Sequence, residues 1–416
     1  MRRLLPRRRG AALQSAGSRG RSGTCRADSV RRIAGFPVLQ LRRQRFLRET
    51  AGQRPWRVRE LHAVPQSRRG AGGRGRDGRG EGLSLPRRAE SRKRPRGGLP
   101  ASQHPQGGTP VIVCIGAFDG YHRGHFSLFR QAREMAARAH TEWNVVTFSP
   151  HPRYVLGGLK ARLFTREDTA FLRRNFDIPE PLEIPFTREF ASTEPRLFLD
   201  ELRARLDVTG IVVGREFRFG RERSGDGEFL LRYCAEHGLE LALMPQLVMD
   251  DGIVVSSTRI RDMVQAGNVD QAAELLGYPW FLFSRVVSGD RRGRAMGYPT
   301  ANMLPDEKKL TPGEGVYAGA MWHGGCWRPA AISVGRNPTF LVQGSLRIET
   351  HVIGFHGDLY GRRPLLAFLK RLRLMTRFSG RMSLMKQLAL DCEETQRVFG
   401  VSQPLLKVFH CLPSFD

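Results

Sequence analysis

Two histidines carry the first chemical signal in this chain. His122 and His125 stand three residues apart in Gly120-Tyr121-His122-Arg123-Gly124-His125. If a helix begins there, both imidazoles leave the same side of its first turn. Such a terminus offers unsatisfied N–H groups and the positive end of the helix dipole, so it attracts phosphate. Two positively polarised imidazoles at that place suit nucleotidyl transfer, because they stabilise the charge that builds on an α-phosphate when a second phosphate attacks it. A phosphate nucleophile is already ionised and needs no general base. The plain alternative is two ordinary surface or core histidines, and the glycine frame after an apolar run favours the functional one.

Three further groups could handle phosphates. Ser256-Ser257-Thr258-Arg259-Ile260-Arg261 supplies hydroxyls to cap a helix and guanidiniums to clamp phosphate, although taken alone such a run is usually just a cap. Gly289, Gly293 and Gly297 recur every fourth residue before Pro299-Thr300-Ala301-Asn302, where Thr300 and Asn302 share one face if the chain is extended. Two hard oxygen ligands on one face suit Mg²⁺ held between protein and nucleotide phosphates. Glu349, in Arg347-Ile348-Glu349-Thr350-His351-Val352, faces away from the core side of a strand that buries Ile348 and Val352. A carboxylate there usually means nothing, but beside a substrate alcohol it would accept the hydroxyl proton as the oxygen attacks a γ-phosphate.

These residues need elements to hold them. Val111 to Ile115 is a short continuous apolar run that reads as a strand buried on both faces, and apolar residues recur at helical spacing from His125 to Ala139. Strand, glycine-rich loop and helix open a nucleotide-binding α/β unit. Further strands are expected at Asn144 to Phe148, Thr209 to Val213 and Leu239 to Met244, with helices at Pro195 to Leu206, Gly227 to His237 and Thr258 to Gln265. The alternation predicts a doubly wound parallel sheet. After Gly277-Tyr278-Pro279 the texture changes to β-like runs at Phe281 to Val287, Val316 to Trp322, Pro329 to Val334, Arg347 to Ile353 and Leu365 to Leu372. Those runs predict a small antiparallel barrel, followed by a helix from Ser383 to Val398. The domains are expected at 109–279 and 280–402, with a C-terminal extension at 403–416.

The chain has 416 residues and a formal charge of +28, but residues 1–108 hold 28 of its 68 basic residues and only 6 of its 40 acidic ones. All but Lys93 of those basic residues are arginine, scattered among Gly and Pro without an apolar period, so this segment is expected to be disordered. A basic arm touching nucleic acid and a transit peptide are weighed against a start assigned upstream of the natural one, and the last reading is preferred. No specific nucleic-acid partner is expected. No apolar run is long enough to span a membrane, and the six cysteines are widely spaced without a C-x-x-C, so a reduced, cytoplasmic protein is expected. Gly73-Arg74-Gly75-Arg76-Asp77-Gly78 matches G-x-G-x-x-G only by chance, and there is no Walker-type phosphate loop.

Taken together, the residues resemble the bifunctional riboflavin kinase/FMN adenylyltransferase family of bacteria. The likeness runs from about Val111 to Phe399 through stretches in the family's order: Gly116 to His125, Thr147 to Pro152, Val213 to Gly220, Ser256 to Arg261, Gly289 to Asn302, Gly315 to Ala318, Gly335 to Thr339, Glu349, and Leu359-Tyr360-Gly361. The resemblance implies a Rossmann-like nucleotidyltransferase followed by a six-stranded Greek-key barrel. It implies phosphorylation of riboflavin by MgATP to FMN, with Thr300 and Asn302 at the metal and Glu349 as base. It also implies transfer of AMP from a second ATP to FMN, giving FAD and pyrophosphate, with His122 and His125 at the phosphates. Nucleotide and flavin phosphates would be bound by Gly116, Phe118, Asp119, Gly120, Gly124, Ser256, Ser257, Thr258 and Arg259 in one domain and by Gly289, Arg292, Gly293 and Gly297 in the other. Four residues depart from the pattern. Ser149 stands for Glu, Glu216 for Asp, Tyr121 for a small aliphatic and Ser284 for Gly. The lengthened Glu216 side chain would disturb a packed site, which leaves open a kinase whose nucleotidyltransferase domain is inactive or differently specific.

Overall fold

The computed structural model describes residues 108–158, 161–289, 293–336 and 346–412. The expectations for residues 1–107, Cys25 among them, lie outside the described residues, as do those for Arg292, Asn337, Pro338 and Thr339.

The first module is a five-stranded parallel sheet in the order β3-β2-β1-β4-β5. Its strands are β1 (Val111–Ile115), β2 (Glu142–Ser149), β3 (Leu182–Pro185), β4 (Val208–Gly214) and β5 (Glu240–Met244), and its principal helices are α1 (Arg123–Ala139), α2 (Arg166–Asn175), α3 (Pro195–Arg205), α4 (Gly227–His237), α5 (Ser257–Gln265) and α6 (Val269–Leu276). Alternate residues of β1 show why the sheet is doubly wound. Ile112 and Cys114 join the core that contains Phe129 and Met135 of α1, whereas Val113 and Ile115 join the core that contains Phe198 of α3 and Leu230 of α4. The chain leaves β1 toward β2 on one side and later returns to β4 on the other, so a crevice opens beyond the carboxyl ends of β1 and β4.

The second module is one antiparallel sheet in the order β6-β12-β9-β10-β11-β8-β7. It comprises β6 (Phe281–Phe283), β7 (Val286–Val287), β8 (Ala301–Met303), β9 (Gly315–His323), β10 (Cys326–Arg336), β11 (Leu346–Val352) and β12 (Leu365–Arg373), followed by helix α7 (Arg381–Val401). The expected single strand Phe281 to Val287 is divided at Ser284, whose hydroxyl donates to the Leu304 carbonyl at 2.8 Å. β6 pairs with β12 and β7 with β8, so the two ends of the sheet are halves of one bent segment and the sheet curls on itself. Counted this way the seven segments make the six strands that the resemblance implied.

Elements α2, β3 and α6 were not foreseen. Helix α2 is written Arg-Glu-Asp-Thr-Ala-Phe-Leu-Arg-Arg-Asn and buries only one stripe, and β3 is four residues ending in a proline. What makes α2 is its start, where Thr165 and Asp168 form a reciprocal capping box.

The core on the α1 side continues into the barrel through the fully buried Tyr278, Trp280 and Phe281. Lys309 of the β8–β9 connection reaches into this seam. Its Nζ lies 2.6 Å from the Asp168 carboxylate and 5.0–5.2 Å from the ring centroids of Phe164, Trp280 and Phe281. Burial lowers the Lys309 pKa and Asp168 opposes that shift. The residues after α7 also return to the first module: His410 and Cys411 donate their N–H groups to Asn175 Oδ1 at 2.9 and 3.0 Å, and the Phe409 ring packs against Phe171 and Phe281.

Phe409 is 2% exposed. Phe409→Ala is therefore expected to cost about 3–5 kcal/mol, as for other enclosed aromatic truncations, and urea unfolding of the parent and the variant measures it.

Candidate active sites

The loop after β1 is built around close approaches. A Cβ on Gly116 would lie 2.7 Å from the Phe118 ring, and Gly120, at φ +70°, sits against Leu163. His122 is the N-cap of α1, and its Nδ1 accepts the His125 N–H at 3.3 Å. His125 Nδ1 lies 3.2 Å from the Gly120 carbonyl, and the two rings stack with centroids 3.6 Å apart. These partners assign the tautomers. His122 carries its proton on Nε2, whereas His125 carries one on Nδ1 and, when neutral, leaves Nε2 with a lone pair. Burial pushes the His122 pKa down to about 4 and, together with the neighbouring His122, holds His125 well below its ordinary value. The free site therefore holds two neutral imidazoles at pH 7.

Asp119 organises the surroundings of the pair. It is 3% exposed, accepts the Leu163 N–H at 3.2 Å and pairs with Arg261 at 2.5 Å. Its backbone carbonyl accepts the Ser257 hydroxyl at 2.8 Å. The first turn of α5 is thus fastened to the loop: Ser256 caps it, Thr258 accepts a bond from Arg153 at 3.1 Å, and Arg259 is exposed. His151, unselected from sequence as a site residue, is buried here. Its pKa is lowered to about 4 by burial, with Arg162, Arg261 and Arg153 pushing the same way and Asp119 opposing them. The charges of Asp119, Arg162, Arg261 and Arg153 all reach His151, whose own charge reaches His125, and such a mixture of guanidiniums and imidazoles is suited to polyphosphate.

Beside this cluster a narrow cleft is lined by Phe118, Tyr121, Thr147, Phe148, Ser149, Arg162, Arg166, Arg173 and Glu183. His122 and His125 do not line it; Phe118 stands between, edge-on to His125 at 5.1 Å. Two of the departures noted in sequence, Tyr121 and Ser149, line this cleft, whereas Glu216 is exposed and the packed surroundings expected for it are not found. The arginines here gave no sequence signal, because the chain is arginine-rich throughout.

The barrel holds a larger cavity of about 410 Å³, lined by Gly289, Arg294, Thr300, Asn302, Thr350, Phe355, Asp358, Leu359 and Tyr360 among others. Asn302 stands directly opposite Glu349 in the β8–β11 register. Ala301, Met303, Ile348 and Thr350 point into the barrel, so Asn302 and Glu349 share its other face. Glu349 does not line the cavity itself. A Cβ on Gly289 would lie 2.1 Å from Asn302 Nδ2, so only glycine lets that loop cover the amide. Gly293 packs against the Tyr298 carbonyl, and Gly297 ends a turn at φ +84°. His351 holds the Thr300 segment, its Nδ1 being 2.8 Å from the Pro299 carbonyl. The hydroxyl and amide oxygens of Thr300 and Asn302, beside a cradle that admits no Cβ, fit Mg²⁺ shared with nucleotide phosphates.

Comparison with known proteins agrees with this division of the chain. The FAD synthetase family matches residues 104–259, and the riboflavin kinase family matches residues 276–399. A bifunctional riboflavin kinase/FMN adenylyltransferase of Listeria monocytogenes is 32% identical over 293 residues, covering 70% of this chain and 92% of the relative. The Escherichia coli protein of the same name is 32% identical over 308 residues, covering 73% and 96%. A solved structure from Streptococcus pneumoniae, described as a macrolide-efflux protein, superposes with a TM-score of 0.64 at 30% identity, over 69% of this chain and 94% of that one. With both domains in order and such relatives matched over nearly their whole length, the chain belongs to the bifunctional riboflavin kinase/FMN adenylyltransferase family.

Proposed function

We propose that the two transfers of this bifunctional enzyme are divided between the barrel and the α/β module, each with its own phosphate-binding residues. The observation that carries the proposal is the separation of the Asn302–Glu349 pair in the barrel from the His122–His125 stack beyond β1.

In the barrel, riboflavin presents its terminal ribityl hydroxyl to Glu349. The carboxylate accepts the proton as the oxygen bonds to the γ-phosphorus of ATP, and the bond to the β-phosphate oxygen breaks, giving FMN and ADP. Thr300 and Asn302 would hold Mg²⁺, which supplies charge compensation on the phosphates. Gly289, Gly293 and Gly297 belong to the segment over the nucleotide, with Gly289 keeping Asn302 in place.

In the α/β module, an FMN phosphate oxygen attacks the α-phosphorus of a second ATP and pyrophosphate leaves. Gly116, Phe118, Gly120 and Gly124 shape the loop that presents His122 and His125, and Asp119 holds Ser257 and Arg261 against it. Ser256, Thr258 and Arg259 form the closing turn. His122 donates through Nε2 even when neutral. His125 must gain a proton on Nε2 to donate, and bound phosphate supplies the countercharge that makes this favourable. The substrates are riboflavin, FMN and ATP. A cytoplasmic location suits this ATP-dependent chemistry, and among the described residues no helix is long and apolar enough to cross a membrane.

Two outcomes are expected. Supplied with riboflavin and MgATP, Glu349→Ala forms FMN slower by about 10²–10⁴-fold yet still converts added FMN to FAD, whereas His125→Ala accumulates FMN. Chromatographic separation of the flavins tests this, and loss of both activities in either folded variant contradicts two sites. The second outcome concerns pH. Folded His122 and His151 bind protons near pH 4 and the unfolded imidazoles near 6.5, so the unfolded chain holds more protons between these values. Stability present above pH 6.5 is therefore lost as the pH falls toward 4. Pyrophosphate should restore it increasingly over that interval, because binding takes up protons. Thermal melts at stepped pH, with and without pyrophosphate, check both signs.

A further inference from the structure

The adenylyltransferase site has a wall that its own domain does not hold. Arg162 lines the cleft beside Phe118 and Ser149, its charge reaches His151, and its Nε is buried with no hydrogen-bond partner. Such a side chain has an anion-directed donor still to satisfy. The backbone that places it is paired with the barrel: the Arg162 N–H donates to the Lys308 carbonyl at 2.9 Å, and the Leu310 N–H donates to the Arg162 carbonyl at 2.7 Å. Between those two bonds Lys309 drops into the seam and closes on Asp168, the capping residue of α2. On the other side of Arg162, Leu163 gives its N–H to Asp119. The arginine is therefore suspended between the phosphate loop of one module and the β8–β9 connection of the other.

We propose that the Asp306–Leu310 segment of the kinase module is a positioning element for AMP transfer, with Lys309 as the positioning residue that fixes Arg162 against the anionic substrate. This rests on the adenylyltransferase reading of the first site. The far end of α5 is tied to the barrel in the same way, since Gly313 donates to the Val264 carbonyl at 3.1 Å and Arg371 to the Ala266 carbonyl at 2.6 Å. The barrel thus supports both the cleft arginine and the helix that closes over the phosphates. A residue within the kinase sequence accordingly governs the other reaction.

The test uses the full chain and measures riboflavin phosphorylation and FMN adenylylation separately in the parent, Arg162→Ala, Lys309→Met and the double variant. Arg162→Ala is expected to lower kcat/KM for adenylylation on the order of tenfold to a hundredfold, the worth of a charged hydrogen bond, with Arg162→Lys recovering part of it. Lys309→Met is expected to lower adenylylation at least tenfold and leave phosphorylation within about twofold. In the Arg162→Ala background it should cause no further loss, because a residue acting only through Arg162 has nothing left to position. If Lys309→Met does not fold, Asp168→Asn with Lys309→Met removes the stranded charge and takes its place in the cycle. Unchanged adenylylation in Lys309→Met, an equal fall in both activities, or losses that multiply in the double variant would each overturn the proposal. A parent that converts no FMN to FAD would instead overturn the reading on which it stands.

Discussion

The α/β site hangs on one carboxylate taken out of water. Asp119 is enclosed at the end of the first strand, where an unpaired charge would be untenable. Among the described residues its carboxylate is satisfied by groups far away in sequence, the Leu163 N–H and the Arg261 guanidinium. Because a buried ion of this kind tolerates no half-made set of partners, the phosphate loop, the segment through Arg162 and the closing helix α5 assemble together or not at all. An acidic residue inside a cluster built for polyphosphate looks contradictory until this is seen. It neutralises part of the surrounding positive charge and ties three segments distant in sequence into one surface.

The same crowding explains the protonation states. Guanidiniums keep their charge under burial, whereas imidazoles among them lose it. The cluster thus combines fixed positive charge from Arg153, Arg162 and Arg261 with imidazoles whose affinity for protons is lowered by burial and by their neighbours. In the proposed reaction substrate phosphate would complete the electrostatics of the pocket, and the empty pocket need not hold six repelling cations.

Much of this architecture was readable from one dimension. Periodicity placed β1, α1 and α4 almost to the residue, because their apolar positions repeat cleanly. The i,i+3 histidines and the alternation around Asn302 and Glu349 located two groups that the fold brings together, the histidines as a stacked pair at the start of α1 and Asn302 and Glu349 as direct neighbours across β8 and β11. Helix α2 escaped because its code is a capping box and not an apolar stripe. Arg162 escaped because its place depends on a backbone pairing with Lys308 and Leu310 nearly 150 residues away, and no local pattern encodes such a partner. The protonation of His122 and His125 escaped for a similar reason, since burial depth is a property of the assembled core. The break at Ser284 could be seen as an odd residue, but its use in bending a strand emerged only from the hydroxyl's bond to Leu304.

Phe409 has a bearing on biogenesis. A ribosome makes the α/β module first, and domains commonly settle as they emerge. Here the aromatic packing around Phe171 is completed by a residue that follows the barrel and its helix α7, and Asn175 receives its two N–H donors from that same stretch. The adenylyltransferase half therefore leaves the exit tunnel with a notch that stays open until the residues after α7 have been made. A nascent chain stalled or truncated late in the barrel would present that notch to chaperones and proteases, so quality control would discard both catalytic halves together.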